Sequence, residues 1–423
     1  MIGEGRALTT TTKEIRRLYL LLTLFQTLAA SLIFGINTLF LLDAGLSNTG
    51  AFVANAAFTA GMVVFEIPTG VVADVVGRRA SFLWGTVTLG VTTALYLGLW
   101  AAASPLWMWV IVSALIGLGF TFFSGATEAW LVDALATTGG EQQLEAIFAR
   151  GGVIGGIAML VGSVGGGAIA QWGIGIPYIL RSVLLMVTFV LAWVWMRDIG
   201  FEPRSGSGFR QEVRAITKAS LDHGLRNPPV RSLMLAAPFS AGVGIWAFYA
   251  FQPHLLDLYG DPNATWVAGT AAAVFAGARI VGGLIAVPLA RLLERRSSAL
   301  LVTTVAQASA LVVVGFTPSF WIALLALVIA SITTAAVMPV RQTLINSLIP
   351  SQQRATVLSF DGLMGSTGGV VIQPALGRAA DMYSYGTAYV VGGALQLLAA
   401  PFALRIRSMD MEEDMMTDPE PAD

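Results

Sequence analysis

A ten-residue stretch, Gly70-Val-Val-Ala-Asp-Val-Val-Gly-Arg-Arg79, joins two apolar segments that are each long enough to cross a lipid bilayer. A turn this short cannot host a soluble domain. It has to be a tight hinge at a membrane surface. Asp74 is placed to bond backbone or Arg, and Gly77 permits a sharp bend.

Apolar segments of spanning length recur along the whole chain. In the first half they cover residues 18–42, 51–73, 80–103, 106–132, 151–171 and 177–197. In the second they cover 232–256, 264–290, 298–317, 320–340, 355–378 and 386–404. The pattern predicts an all-α membrane protein: twelve transmembrane helices in two pseudo-symmetric six-helix bundles. The first bundle takes residues 1–197, a cytoplasmic central loop 198–231, the second bundle 232–407, and an acidic, disordered tail 408–423. The first apolar run is too long for the apolar core of a cleavable signal, so none is expected.

Composition agrees. The chain is 56% hydrophobic and only 12% charged, against roughly 25% charged in ordinary soluble domains. The net charge of −1 gives no reason to expect a nucleic-acid partner. With no Cys and two His, His223 and His254, neither a disulfide nor a thiolate or histidine-rich metal centre is expected, and no cofactor is implied.

The basic residues orient the chain. Twenty-one of the 24 Lys and Arg fall at the two ends, in the central loop or in the turns on the same side; the others are Arg181, Arg279 and Arg378. Such a bias places both termini and the central loop in the cytoplasm of a multi-pass plasma-membrane protein. A shift of 210 residues also lays Gln142-Gln143 on Gln352-Gln353, Gly155 on Gly365, Gly167 on Gly377 and Ala170 on Ala380. Ala73–Arg79 has a weaker counterpart in Ala290-Arg-Leu-Leu-Glu-Arg-Arg296. Six spans per repeat make the repeat parallel, about an axis normal to the membrane. Repeats of this kind enclose a substrate site near the midplane that opens to each side in turn.

On these residues the chain resembles the major facilitator superfamily over nearly its whole length. Gly70, Asp74, Gly77, Arg78 and Arg79 look like its loop between the second and third spans, G-x-x-x-D-x-x-G-R-R/K. The resemblance implies secondary transport by rocking of two six-helix bundles, with this loop stabilising the outward-facing state. It implies that the acid meets the start of the eleventh span, here near Arg354-Ala355. It also implies that the Arg meets an acid at the inner end of the fourth span, here Asp133 with Glu128 one turn deeper. Gly162-Ser-Val-Gly-Gly-Gly167 resembles the G-P-x-x-G-G element of drug–proton antiporters, but Ser163 replaces the Pro and Ala149 and Ala158 stand at two expected Gly positions. The fourth span also lacks the Arg motif of proton antiporters, so the element does not by itself assign antiport.

Ionisable side chains within apolar spans are costly, at about 2.5–3.5 kcal/mol or more each, and therefore point to function. Glu66, Glu128 and Asp361 are the proton-coupling candidates, because desolvation raises a carboxyl pKa toward the working range. For Glu128 and Asp361, completing an inner gate with Arg150 or the loop Arg residues is the competing reading. Arg279, mid-span, is a candidate for attracting an anionic substrate group, and Arg181 is a candidate for substrate binding or a structural ion pair. Asn37, Trp246, Gln252 and Gln373 complete the substrate-binding candidates; interhelical bonding is the alternative for the amides. His254 and the aromatic residues Phe248, Tyr249 and Phe251 cluster with them in the seventh span. The eight glycines between Gly151 and Gly167 allow close helix approach.

Neither H-E-x-x-H nor G-x-S-x-G occurs, and an enzyme is not expected. The expected function is secondary active transport of a small solute by alternating access, with proton-coupled export as the specific form. The partners are the solute, protons and the lipid bilayer, and the protein acts as a monomer. A facilitative uniporter or importer of a small organic solute, or a transporter-like receptor, stays open.

Overall fold

The computed structural model describes residues 11–203, 218 and 220–416. Eleven helices among them are long and apolar enough to cross a membrane. The first span is carried by two pieces, α1 (Thr12–Ser31) and α2 (Asn37–Asp43). There follow α3 (Asn48–Val75), α4 (Arg78–Ala101), α5 (Leu106–Thr121) with α6 (Ala126–Thr138), α7 (Leu144–Ala170) and α8 (Ile176–Trp195). The second half contains α9 (Pro228–Tyr259), α10 (Thr265–Leu292), α11 (Arg296–Phe316), α12 (Phe320–Ser347), α13 (Arg354–Met382), and α14 (Tyr385–Leu397) with α15 (Ala400–Arg407). The protein is thus an all-α membrane protein of twelve spans in two bundles. Exposed apolar side chains such as Val153, Val161, Leu284, Trp321 and Leu325 lie along these helices, the chemistry of a lipid-facing surface.

The 210-residue offset reappears in the backbone. One-turn 3-10 helices at Glu141–Gln143 and Ser351–Gln353 lead into α7 at Leu144 and α13 at Arg354. The weaker match also has a structural counterpart: Gly77 has φ +127° and Glu294, at the equivalent place, φ +60°.

Two spans are broken in ways the sequence did not announce. Between α1 and α2 the backbone makes turns over residues 32–36, and Gly35 lies against Gly269 of α10, where an added Cβ would be 2.7 Å from its Cα. Between α5 and α6, Gly125 takes φ +71° and the Ser81 hydroxyl donates to the freed Phe122 carbonyl at 2.8 Å. Backbone groups released inside a membrane need such substitutes, since no water is at hand in the hydrocarbon.

Several further boundaries differ from expectation. Helix α9 already begins at Pro228, and a π-helical turn covers Ser220–Leu225. The remainder of the linker at 204–217 and residue 219 lie outside the described residues. The tail expected to be disordered from 408 is docked as far as Met416. Asp414 is fully buried, accepting from the Ser297 amide at 2.7 Å and from its hydroxyl, and Arg295 pairs with Asp410 at 2.9 Å. Residues 417–423 lie outside the described residues.

The halves meet chiefly through two equivalent helix pairs, α7 with α10 and α13 with α3. Small residues allow the approach: a Cβ on Gly167 would lie 2.7 Å from the Gly269 Cα, and one on Gly377 would lie 2.8 Å from the Phe52 ring. Of the glycines in α7, Gly151, Gly162 and Gly166 press on α1 and Gly167 on α10, whereas Gly152, Gly156 and Gly165 face open space. We expect Gly269→Leu to insert normally but to prevent this closure. A Phe52→Cys reporter, in a chain without native Cys, is then labelled several-fold faster by an impermeant maleimide. Unchanged protection would contradict the packing role.

Candidate functional site

The contacts that join the halves lie toward one face, opposite the face where the described chain begins and ends. The Asp381 carboxylate accepts from the Asn48 and Thr49 amides at 3.0 and 2.8 Å and from the Thr49 hydroxyl at 2.5 Å. The second half thus caps the N-terminus of α3. The Tyr385 hydroxyl donates to the Asn48 side chain. One turn deeper, the Gln252 amide donates to the Phe34 carbonyl at 2.9 Å and accepts from the Thr38 amide at 2.7 Å. It thereby satisfies the backbone released by the α1–α2 break. The Thr38 hydroxyl donates to the Tyr249 carbonyl, Thr265 to the Gly167 carbonyl, and Gln373 to the Thr59 hydroxyl at 3.2 Å.

Among the described residues, no hydrogen bond or ion pair crosses between the halves beyond Thr59 toward the terminal face. Thr59 is 11 residues, about 16 Å, into α3, and about 24 Å of that helix continues past it. Among the described residues, the hydrogen bonds that join the halves are therefore confined to one face.

Helical phase identifies what continues these contact rows toward the terminal face. Asn48, Phe52 and Thr59 form the row of α3 that touches α13. Glu66 and Gly70 continue it at helical spacing. Glu66 is half-buried and accepts from the Ser124 hydroxyl at 2.8 Å, at the α5–α6 break. Glu128, four residues past Ser124, is exposed. On α10, Thr265 and Gly269 touch α7, and the exposed Arg279 continues their row with no ion-pair partner among the described residues.

Asp361, a proton-coupling candidate by sequence with an ion pair as the competing reading, does not lie on the α3-facing row of α13. It lies on the opposite side of α13, 6% exposed, in a two-pronged ion pair with Arg341 of α12 whose second prong is 2.6 Å. Arg341 also donates to the Leu233 carbonyl of α9 at 2.9 Å. The partner is neither Arg150 nor a loop Arg but Arg341, one of the basic residues counted toward the turns on the terminal side.

Trp246, Gln252 and Gln373, substrate-binding candidates by sequence, lie in packed contacts in this arrangement. All three are fully buried, the two amides in the closure and Trp246 between Phe52 and Tyr389. His254 is buried beside Tyr389. Asn37 does line a cavity of about 60 Å³ beneath the closure, bonded to Asn55 at 2.8 Å and accepting from the Tyr178 hydroxyl at 3.1 Å.

The charged turn lies on the terminal face within the first bundle. Arg78 bonds Asp74 at 2.5 Å and approaches Asp133 at 3.7 Å. The Arg–acid contact implied by the resemblance is thus present. Asp74 is engaged with Arg78 in its own turn, while Arg354 donates to the Asn346 carbonyl of its own half. Gly77 is required where it stands: its φ of +127° disfavours L side chains, and a Cβ would lie 2.6 Å from an Asp198 carboxylate oxygen. Asp198 accepts from the Arg79 amide at 2.8 Å, and Arg79 reaches the Trp193 carbonyl at 2.9 Å. Asp198 follows α8 as Asp414 follows α15, and each acid caps the start of its half's third span. Neither acid is singled out by the sequence; the available signal is an acid shortly after the sixth span of each half.

The family model of the Major Facilitator Superfamily matches residues 19–287 and 265–420. The chain belongs to this family. Members are membrane transporters, not enzymes, and this chain is a superfamily transporter. A tetracycline resistance protein, class G, from Vibrio anguillarum is 24% identical over 351 residues, covering 81% of this chain and 84% of that protein. Among solved structures, the nucleoside transporter NupG is similar with a TM-score of 0.75 at 10% identity, over 94% of this chain and 98% of that one. A bacterial homologue of the human lysosomal transporter Spinster, inward-facing and unoccupied, has a TM-score of 0.73 at 15% identity, over 96% and 99%. A D-xylose–proton symporter has a TM-score of 0.64 at 15% identity, over 93% and 97%.

The superfamily fold makes the Arg341–Asp361 pair a tie between three helices of one bundle. Removing one partner of a buried pair costs about 3–5 kcal/mol, because the other charge is left uncompensated. Asp361→Asn is expected to lower the thermal midpoint of purified protein markedly, and the pair Arg341→Met with Asp361→Leu to recover most of it. A single mutant as stable as the parent would refute the tie.

Proposed function

We propose that the protein exports a small amphipathic organic solute across the plasma membrane in exchange for protons, acting as a monomer with both termini in the cytoplasm. The observation that carries this reading is the confinement of the joining hydrogen bonds to one face, with Glu66 beyond them toward the other. The inside bias of Arg makes the open face cytoplasmic, so the arrangement described is the cytoplasm-open one. Export is supported by the tetracycline-resistance relative, and a proton-coupled member exists among the structural neighbours.

In this cycle the solute enters the cytoplasmic cleft, drawn by Arg279 if it carries negative charge, and reaches the cavity walled by Asn37. Rocking breaks the Asp381, Gln252 and Gln373 links and brings the cytoplasmic ends together. Gly70, Asp74, Gly77, Arg78 and Arg79, anchored on Asp133, then form part of the inner gate. Glu66 sits in an apolar span on the face of α3 that the rocking covers and uncovers. It loads a proton on one side and releases it on the other, with Ser124 as the hydrogen-bond donor to its ionised form. Glu128, past the same break, is the second acid on this route.

Glu66→Gln keeps the shape and the Ser124 contact but cannot carry a proton. In reconstituted vesicles with an imposed pH gradient, we expect it to abolish gradient-driven accumulation while retaining part of the solute exchange. Undiminished gradient-driven transport would remove Glu66 as the coupling site and make Glu128 the next to test. Transport by the parent that is indifferent to the gradient would favour a uniporter.

A further inference from the structure

The cavity beneath the closure contains a charge that the mechanism above does not use. Arg181 of α8 is 2% exposed. Its Nε donates to the Thr93 hydroxyl at 3.1 Å and its Nη1 to the Ala29 carbonyl at 3.4 Å, and it lies over the Phe120 ring at 5.7 Å from the centroid. These partners are neutral. No carboxylate lies within ion-pair distance among the described residues, and Nη2 makes no hydrogen bond. A guanidinium buried in this way without a counter-ion is costly. Arg341 of the second half, by contrast, is only partly buried and has its acid.

A second observation at the same cavity points to the missing partner. Asn55 of α3 is 3% exposed; its oxygen accepts from Asn37, and its Nδ2 has no partner. The chain of bonds from the Tyr178 hydroxyl through Asn37 to Asn55 ends in an unused N–H donor. The Tyr96 hydroxyl, on the same wall, is paired with Ser113 at 2.5 Å. The groups left unsatisfied are therefore donors, one of them charged. Phe58 and Phe120 supply apolar wall, and Tyr249, from the other half, supplies another. At about 60 Å³ it holds a head group, not a whole solute.

We propose that Arg181 and Asn55 are the anion receptor for the cargo, and that the cargo is an amphipathic organic monoanion. Its carboxylate, or an equally planar two-oxygen anion, seats against Arg181 and the Asn55 amide while its apolar body stays among the aromatic residues. The planar guanidinium fork matches such a group and supplies directional charge-assisted bonds. Because Tyr249 belongs to the second bundle, rocking withdraws that wall, and the anion loaded from the cytoplasmic side is released when the halves separate above it. This rests on the transporter reading, but it is tested by binding alone, so its failure leaves the vesicle flux assay to judge transport independently.

The test uses full-length protein in lipid nanodiscs and thermal unfolding. The probes are benzoate, 1-naphthoate and 4-phenylbutyrate, each beside its neutral amide, with inorganic phosphate as the tetrahedral control. We expect at least one carboxylate to raise the midpoint where its amide and phosphate do not. Loss of a charge-assisted pair in Arg181→Gln should weaken that binding about tenfold or more, with Arg181→Lys in between. Asn55→Asp gives a readout that needs no cargo. A built-in carboxylate in the cavity that Arg181 also lines should raise the midpoint of the empty protein and erase the carboxylate response. The proposal is overturned if no carboxylate outperforms its amide, if phosphate protects equally, or if Asn55→Asp destabilises the empty protein.

Discussion

A broken helix inside a membrane leaves backbone groups without partners, and here the other bundle supplies them. The Phe34 carbonyl and Thr38 amide, freed where α1 gives way to α2, are both satisfied by the single Gln252 side chain of α9. The break is therefore stable only while the halves touch on that face or while water replaces Gln252. Opening that face and wetting it become one event. The same logic extends outward to Asp381, which caps α3 only across the interface, and inward to Gln373 on Thr59. A closure built from hydrogen bonds and glycine contacts can be exchanged for water at modest cost. A closure of interdigitated large apolar side chains could not be.

Within each bundle the bonding is of the opposite kind. Arg341–Asp361 is largely shielded and charge-paired across three helices. Asp198 and Asp414 lock the turns that begin the third span of each half, and Trp130 is tied to the Arg197 carbonyl at 2.7 Å. Rigid units joined by a replaceable seam are what rocking requires. The seam's two helix pairs, α7–α10 and α3–α13, are related by the internal repeat, which explains why the same span pairs serve both sides of the cleft.

Much of this architecture was legible in the sequence, because bilayer thickness and the placement of Arg are strong constraints on a chain so poor in charge. The 210-residue offset reappears in the equivalent starts of α7 and α13, although the expected span 151–171 begins well inside α7 at Leu144–Ala170. What stayed hidden was direction. Glu66 and Asp361 look alike as acids in apolar spans, yet one continues the α13-facing row of α3 and the other meets an Arg in its own bundle. Periodicity cannot separate these faces when a helix is apolar on all sides. Gln252 and Gln373 read as cavity amides because their true partners lie more than 200 residues away. Asp198, Asp381 and Asp414 act as caps at a distance, for which local sequence carries no helix-capping pattern. The chain breaks at residues 32–36 and 122–125 interrupt runs whose hydropathy never falters.

The central claim is that the seam opens on one face as the cleft closes on the other. Two cysteine pairs at repeat-equivalent, exposed positions report on it in this Cys-free chain: Trp172 with Met382 near the sealed face, and Gln142 with Gln352 near the open one. Pulsed electron–electron spin resonance on each pair, in nanodiscs across a range of pH and with a Gly269→Leu background as the forced-open control, measures the two distances directly. The account predicts two populations that exchange in opposite senses, the 172–382 distance lengthening in step with a shortening of 142–352. Distances that stay fixed, or that lengthen together, would contradict it.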